Sequence, residues 1–459
     1  MNHLETPLAM HQNAAESKSR DLTPLSEQWR LPLGGCDCYL VAMEEYMASQ
    51  GQGRHVGVTT LELGSGFCIS SFANAVQRFG TNYPVLFASV NRSWFAGIPE
   101  WRPRPPGEIR LTVHPDGTDP KKIAAELLDG AWEGALCFDV IQCGCDVVVL
   151  MGWTHLLFDG RGAELALAEI NRFAADASYG GIPLRNWGLP KMMRKSLLEN
   201  LRAVRPFARR HSELRRAEVH SLGSPPSRPS GLCFQLLRFT IAETRWIGQR
   251  AEEITGGIFS LPYFLATVMR AHAEVLKVRG VSSGALECAV SAQLRKRGTS
   301  GAIFQNQVSQ LFFSLPLGEV DDIRSAAAAL YEQFTQMNKS GFDRAFFVMS
   351  GWMRRLPKFL YKRFINGSAS GHITSFYYAH TGAFLPALKQ FCSAEIVDGW
   401  HIPSVFQPPG TGVFFSERSA RLTCSICWRE GVVTEGEFES LITRLRADLL
   451  EGFDESTPA

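Results

Sequence analysis

The sequence predicts an α/β (α+β) protein built as two lobes, and three observations lead to that class. A continuous apolar run, Val147 to Leu150, leads to His155, then to a glycine-bounded corner and a helical pattern of Leu165, Leu167, Ala168, Ile170 and Phe173. Such a pattern is that of a buried strand, a tight loop and a helix. Between Pro190 and Ser230 the chain turns basic and then passes into Gly223-Ser224-Pro225-Pro226-Ser227-Arg228-Pro229-Ser230, a linker by composition. Beyond it the mixture of strand-like and helical segments begins again, and 459 residues are enough for two sizeable cores.

In chain order, residues 1–24 are polar without an apolar signal-type core, and a disordered lead is expected there. The first lobe is placed at 25–189: a helix from Tyr39 to Met47, an alternating strand from Val56 to Leu63, a helix from Ile69 to Phe79, a loop at Pro103 to Pro106, a helix from Ile123 to Trp132 and the strand Asp146 to Trp153 that delivers the histidine. Residues 190–231 form a basic helix and linker. Met193, Leu197, Leu201 and Val204 make an apolar stripe there, while Arg194, Lys195, Arg202 and further arginines make the other faces basic. Its plainest reading is a solvated face, ahead of docking for an acidic carrier protein and of membrane-surface contact. The second lobe, 232–459, opens with a strand-like Leu232 to Ile241 and helices at Thr244 to Ile254 and Pro262 to Val278. Strand-like Leu286 to Ala292 follows, then the run Leu311 to Pro316, a helix from Ile323 to Met337 and broken ones to Phe364. Strand-like Ile373 to Tyr378, a hairpin of Gly412 to Ser416 with Ala420 to Trp428, and a helix from Glu435 to Leu450 close the chain.

Charge bounds the function. Lys and Arg total 47 against 45 Asp and Glu, a net charge of +2, which argues against a nucleic-acid binder. No stretch approaches the roughly 20 apolar residues that span a bilayer, and a cytoplasmic location is expected. The eleven cysteines are scattered. Cys36-x-Cys38, Cys143-x-Cys145 and Cys424-x-x-Cys427 lack a second pair at zinc spacing, so buried reduced thiols are expected and a metal site is not. No Gly-x-Ser-x-Gly elbow, phosphate loop or dinucleotide fingerprint is present.

His155, Asp159 and Gly160 carry the chemistry. An imidazole titrates near neutrality, so His155 can take a proton from an attacking hydroxyl or amine. Asp159 is also well placed to cap the following helix, with Gly160 giving the backbone room to turn. His155-x-x-x-Asp159-Gly160 after a strand resembles the signature of the acyltransferase superfamily of chloramphenicol acetyltransferase, plant alcohol acyltransferases, wax ester synthase/diacylglycerol acyltransferases and condensation domains of nonribosomal peptide synthetases. Many members carry a second histidine just before the first, where Thr154 stands here. Pro32, Leu33 and Asp37 match the Pro-Leu-x-x-x-Asp opening of wax ester synthase-like proteins. Arg295 followed by Phe304-Gln305-Asn306-Gln307-Val308-Ser309 resembles the arginine strand and Gly-Asn-x-Val-Ser segment of these families, with Gln305 in the glycine's place. Leu261-Pro262 stands where wax ester synthases have an Asn-Asp pair.

The resemblance implies two chloramphenicol-acetyltransferase-like lobes meeting in a V with a central tunnel. It implies transfer of an acyl group from a thioester, carried by the phosphopantetheine of a carrier protein or by coenzyme A, to a hydroxyl or amine. The form expected is a free-standing condensation domain of nonribosomal peptide or polyketide biosynthesis. The alternatives are a coenzyme A-dependent wax ester or diacylglycerol-type enzyme, or a non-catalytic scaffold that binds carrier proteins. His155 would be the base, a backbone N–H near Gly160 an oxyanion donor, and Asp159 a structural residue paired with Arg295, with Arg297 in reserve. Ser375, Thr381 and Asn306 are candidates for the oxyanion or tunnel wall. The resemblance implies no permanently bound cofactor, an acyl or peptidyl carrier protein acting in trans, and a small-molecule acceptor.

Overall fold

The structure, a computed structural model, describes residues 31–91, 98–183, 197–214, 218–225, 230–257, 259–295, 301–361, 363 and 374–454. Its first half runs β1 (Leu31–Pro32), α1 (Gly35–Ser49), β2 (Val56–Leu63), α2 (Ile69–Asn82), β3 (Ser89–Asn91), β4 (Glu100–Arg102), β5 (Arg110–His114), α3 (Pro120–Leu128), β6 (Leu136–Cys143), β7 (Asp146–Thr154) and α4 (Gly160–Ala175). Helix α5 (Leu197–Leu214) leads to the second half: β8 (Leu232–Arg238), α6 (Ile241–Thr255), α7 (Leu261–Val278), β9 (Ala285–Gln293), β10 (Val308–Pro316), α8 (Ile323–Ser340) and α9 (Phe342–Met353). The chain closes with β11 (Tyr377–Ala383), β12 (Gln390–Phe391), β13 (Ala394–Pro403), β14 (Thr411–Arg418), β15 (Arg421–Arg429) and α10 (Glu435–Leu449).

Two mixed sheets organise the described residues, ordered β12-β13-β2-β7-β6-β5 and β10-β9-β11-β14-β15-β8, beside a small sheet β1-β4-β3. Strands β2 and β7 lie inside the first sheet and are buried along most of both faces, because residues on both sides meet cover. Helix α2 buries Phe72, Ala75, Val76 and Phe79, the i, i+3, i+4, i+7 face of an amphipathic helix. In the second lobe α7, α8 and α10 supply one core with β9, β14 and β15. Capping boxes at Thr240/Glu243 and Thr434/Glu437 fix where α6 and α10 begin.

The element order follows the pattern of the sequence, with four corrections. Helix α3 starts earlier and stops before Trp132, because Asp119 caps it and Gly130, at φ +69°, turns the chain away. The strand expected from Ile373 begins at Tyr377, with residue 373 outside the described residues. The second lobe does not keep all of 232–459 to itself. Strands β12 and β13 join the first sheet, β13 running antiparallel to β2 from Ile396↔Leu63 to Pro403↔Gly57, and Ile303 and Phe304 are fully buried in the first core. Finally, the described basic side chains Arg202, Arg205 and Arg209 of α5 are exposed, as a solvated face requires, but its apolar contact lies further along than the expected stripe. Phe207 is buried against the rings of Phe312, Phe342 and Phe346, and the Arg210 guanidinium donates to the Phe312 carbonyl at 3.0 and 3.2 Å. Leu201, placed by spacing on its apolar stripe, stands exposed, because the helix is held through its C-terminal half.

Candidate active site

The antiparallel register of β2 and β7 pairs Val56 with Thr154, so the residues just beyond, His55 and His155, lie side by side. The His155 N–H donates to the His55 carbonyl at 2.8 Å. The two imidazoles stack at 4.4 Å between centroids and 29° between planes. Burial lowers the His155 pKa, opposed in decreasing order by its own carbonyl, the Asp159 carboxylate and the Asn306 side chain. Burial also drives His55 well below its ordinary value, with His155 and Arg429 adding to it. Both rings are therefore neutral at neutral pH, and a neutral imidazole is the form that accepts a proton. His155 Nδ1 is enclosed by protein, which leaves Nε2 as the nitrogen turned to the adjoining cavity.

Asp159 also borders that cavity, and both of its carboxyl oxygens are taken up by donors. One carboxyl oxygen accepts the Gly162 N–H at 2.7 Å and so caps α4. The other accepts Arg295 Nη1 at 2.5 Å and the Gln307 N–H at 3.0 Å. Arg295 reaches back from the second lobe and makes three further side-chain hydrogen bonds: Nε donates to the Ala302 carbonyl, Nη1 also to Gln293 and Nη2 to the Gln305 carbonyl. The pair is almost wholly buried. Gly162 is required here, since a Cβ on it would lie 2.5 Å from the Ile303 carbonyl oxygen. Gly160 lies at the mouth of the cavity at the first turn of α4, with open space where a Cβ would be.

Gln305 explains why a glycine suits its position. Its φ is +69°, the left-handed region, held by its N–H to the Leu157 carbonyl at 2.8 Å and by its side-chain amide to the Pro32 carbonyl at 3.0 Å. Asn306 lines the cavity, though it is buried and its side chain is tied into the surrounding loops. Its side-chain nitrogen donates to the His155 carbonyl at 2.8 Å and to Asp37 at 3.0 Å, while Asp37 also takes the Asn306 and Gly34 N–H groups. The Pro32-Leu33-Asp37 opening thus binds the 305–307 segment to the histidine loop.

A cavity of about 1090 Å³ runs between the lobes, walled by residues of both, with His55, Trp153 and His155 on one side and β9, β10 and β11 on the other. Thr381 lines it, its hydroxyl donating to the Phe415 carbonyl at 3.2 Å. Ser375 does not: it is fully buried, its Oγ accepts the Glu287 N–H at 2.9 Å, and it clamps a strand instead of facing a reacting carbonyl. Arg202 stands exposed on α5, and Arg194, Lys195 and Arg297 lie outside the described residues. Among the described residues no three His, Cys, Asp or Glu side chains are grouped to hold a metal ion. Cys36 and Cys38 are buried in α1, Cys424 and Cys427 in β15, while Cys143 and Cys145 are exposed at the β6–β7 turn.

No protein-family model and no curated protein matches the chain in sequence. Solved structures do match in shape. The TRI3 trichothecene 15-O-acetyltransferase of Fusarium sporotrichioides superposes with a TM-score of 0.68 at 11% identity, over 92% of this chain and 95% of that one. The first condensation domain of the CDA synthetase gives 0.66 at 13% identity, over 93% and 96%. This chain has the condensation-domain fold. Polyketide synthase associated protein 5 from Mycobacterium tuberculosis shares it too, with a TM-score of 0.59 at 14% identity over 89% and 96%. At such identities the likeness extends to the fold, lobe by lobe, and the chemistry must be argued from the residues in the cavity.

Sequence reading missed His55. It directly precedes the strand Val56 to Leu63, and its pairing with His155 is visible only once β2 and β7 are set antiparallel in register.

Proposed function

We propose that this condensation-fold protein is an acyltransferase that moves an acyl group from a phosphopantetheine thioester to a hydroxyl or amine. The observation that carries the reading is a half-buried, neutral His155 whose Nε2 meets a cavity walled by both lobes, while Asp159 and Arg295 lock its loop from behind. His155 Nε2 takes the proton of the acceptor O–H or N–H, and the freed lone pair attacks the thioester carbonyl. The tetrahedral intermediate collapses with loss of the C–S bond, and the proton on the ring passes to the leaving sulfur. Donor and acceptor held end to end in one cavity supply most of the acceleration. The N–H groups of Gly160 and Arg161, in the first turn of α4 and on the cavity lining, are the donors this reading assigns to the developing oxyanion.

The donor arrives on a carrier protein in trans or as coenzyme A, and the acceptor is a small molecule. Intact-protein mass spectrometry tests this. Acyl-loaded carrier proteins, and in parallel acyl-coenzyme A, are incubated with the chain and a panel of small alcohols and amines. Loss of the acyl mass that requires both the chain and a nucleophile, and is absent with His155→Ala, is the expected result. A chain that binds the carrier without any acyl loss over the panel is a scaffold, and a chain that uses only long-chain alcohols with coenzyme A thioesters is an enzyme of the wax ester type.

A further inference from the structure

Strand β9 turns one face to the cavity and the other to the second core. Leu286, Cys288 and Val290 belong to that core, whereas Glu287, Ala289, Ser291 and Gln293 line the cavity. The period of two explains the division. Opposite them on β10 stand Val308, Gln310 and Phe312, paired respectively with Gln293, Ser291 and Ala289. The wall so formed is graded. Gln293 accepts from Arg295, the partner of Asp159, so this end belongs to the reaction centre. Next comes Ser291 with Gln310, whose amide donates to the Ser291 hydroxyl at 3.0 Å, and beyond them Ala289 with Phe312, Phe346 and Met349 makes an apolar stretch. Glu287 lies six residues along the strand from Gln293, roughly 20 Å away.

Glu287 is only 9% exposed, yet its carboxyl accepts no hydrogen bond and joins no ion pair among the described residues, and one of its oxygens is completely enclosed. Its backbone, by contrast, is fixed three times over: Ser375 Oγ accepts its N–H, and its carbonyl takes the Ser375 N–H at 2.7 Å and the Thr374 hydroxyl at 3.0 Å. The nearby Arg210 is spent on the Phe312 carbonyl and Gln333, with Glu213 beyond it. A buried carboxyl without a donor is costly, and native folds retain one where something else satisfies it.

We infer that Glu287 is the distal anchor of a substrate subsite, receiving a protonated amine at the end of a chain whose apolar middle lies along Ala289 and Phe312 and whose reacting end is at His155. This rests on reading the cavity as the acyl-transfer site. One carboxylate cannot supply the several oxygens a divalent cation needs, whereas a single ammonium matches it in charge and in donors. Burial, partly offset by Arg210, raises the Glu287 pKa to about 7, so an incoming cation would also fix its charge.

Calorimetric titration of the full chain with decylamine and with decanol tests the subsite. The native chain should bind the amine tighter by roughly tenfold or more, the scale of a charge-assisted bond. Glu287→Gln should abolish that preference, and Glu287→Leu should bind decanol more tightly and melt no lower than the native chain. His155→Ala should keep the amine preference, which separates this inference from the catalytic reading: an amine preference without acyl transfer sinks only the latter. Affinities within threefold of each other, a preference that survives Glu287→Gln, or a lower melting temperature for Glu287→Leu would overturn the subsite.

Discussion

His155 and Asp159 divide the work that a shared motif suggests they do together. The histidine meets the cavity, and the aspartate faces a cap and a buried arginine. Removing Asp159 therefore leaves Arg295 charged, buried and short of its partner. Asp159→Ala is expected to cost about 3–5 kcal/mol, the scale of a broken buried pair, read from denaturant unfolding; loss of turnover with unchanged stability would make the aspartate chemical instead. The stacked His55 braces the His155 ring. His55→Ala is expected to lower kcat by about ten- to a hundredfold, as small misplacements of a base do, and His55→Phe to restore most of it by keeping the stack. An equal loss in both variants would show that a ring nitrogen of His55 is used. These pairings were legible to different degrees. Arg295 could be matched to Asp159 through the resemblance alone, whereas His55 has no motif and depends on strand register.

Among the elements, the segment from Ala302 to Gln307 holds the lobes together at the site. Phe304 meets Tyr83 at 5.3 Å and Phe158 at 5.5 Å, Gln305 reaches Pro32, and Asn306 reaches Asp37. A methyl group on Gly162 would push against this segment at the Ile303 carbonyl. Gly162→Ala is expected to destabilise by about 1–3 kcal/mol, the usual cost of overpacking, and to depress turnover, because the same push moves the Arg295 clamp. Unchanged melting and turnover would show that the segment yields freely. Helices and hairpins were readable from caps and periodicity, since those signals are local. The return of β13 to the first sheet was not, because a strand's partner is set by long-range packing and not by its own pattern. Helix α5 shows the same limit: its apolar spacing marked a stripe, but its C-terminal half decides what it touches.

On the scale of the whole molecule, buried imidazoles tie stability to pH. Burial lowers His272, stacked on Phe376, and His380, set against Phe264, to about 4 each from 6.5. The unfolded chain then binds more protons than the fold below pH 6.5, so stability falls as pH drops toward 4, by on the order of 3 kcal/mol for the fully buried His272 and by less for His380, which is part-exposed to the cavity. Urea unfolding at a series of pH values checks this, and His272→Phe should flatten the fall; a flat native profile would contradict it. The two-lobe plan was readable from composition, but the cavity between the lobes was implied only by the family likeness, since its walls come from strands far apart in sequence. The proposed chemistry depends on proton transfer by one ring between the lobes. Its most direct test is the pH profile of thiol release from an acyl-pantetheine in the presence of an acceptor, with His155→Ala alongside. The account predicts that native kcat/KM rises to a plateau through an apparent pKa below 6.5 and that the variant, still folded, loses at least about a hundredfold; a variant with native turnover and the same profile would contradict it.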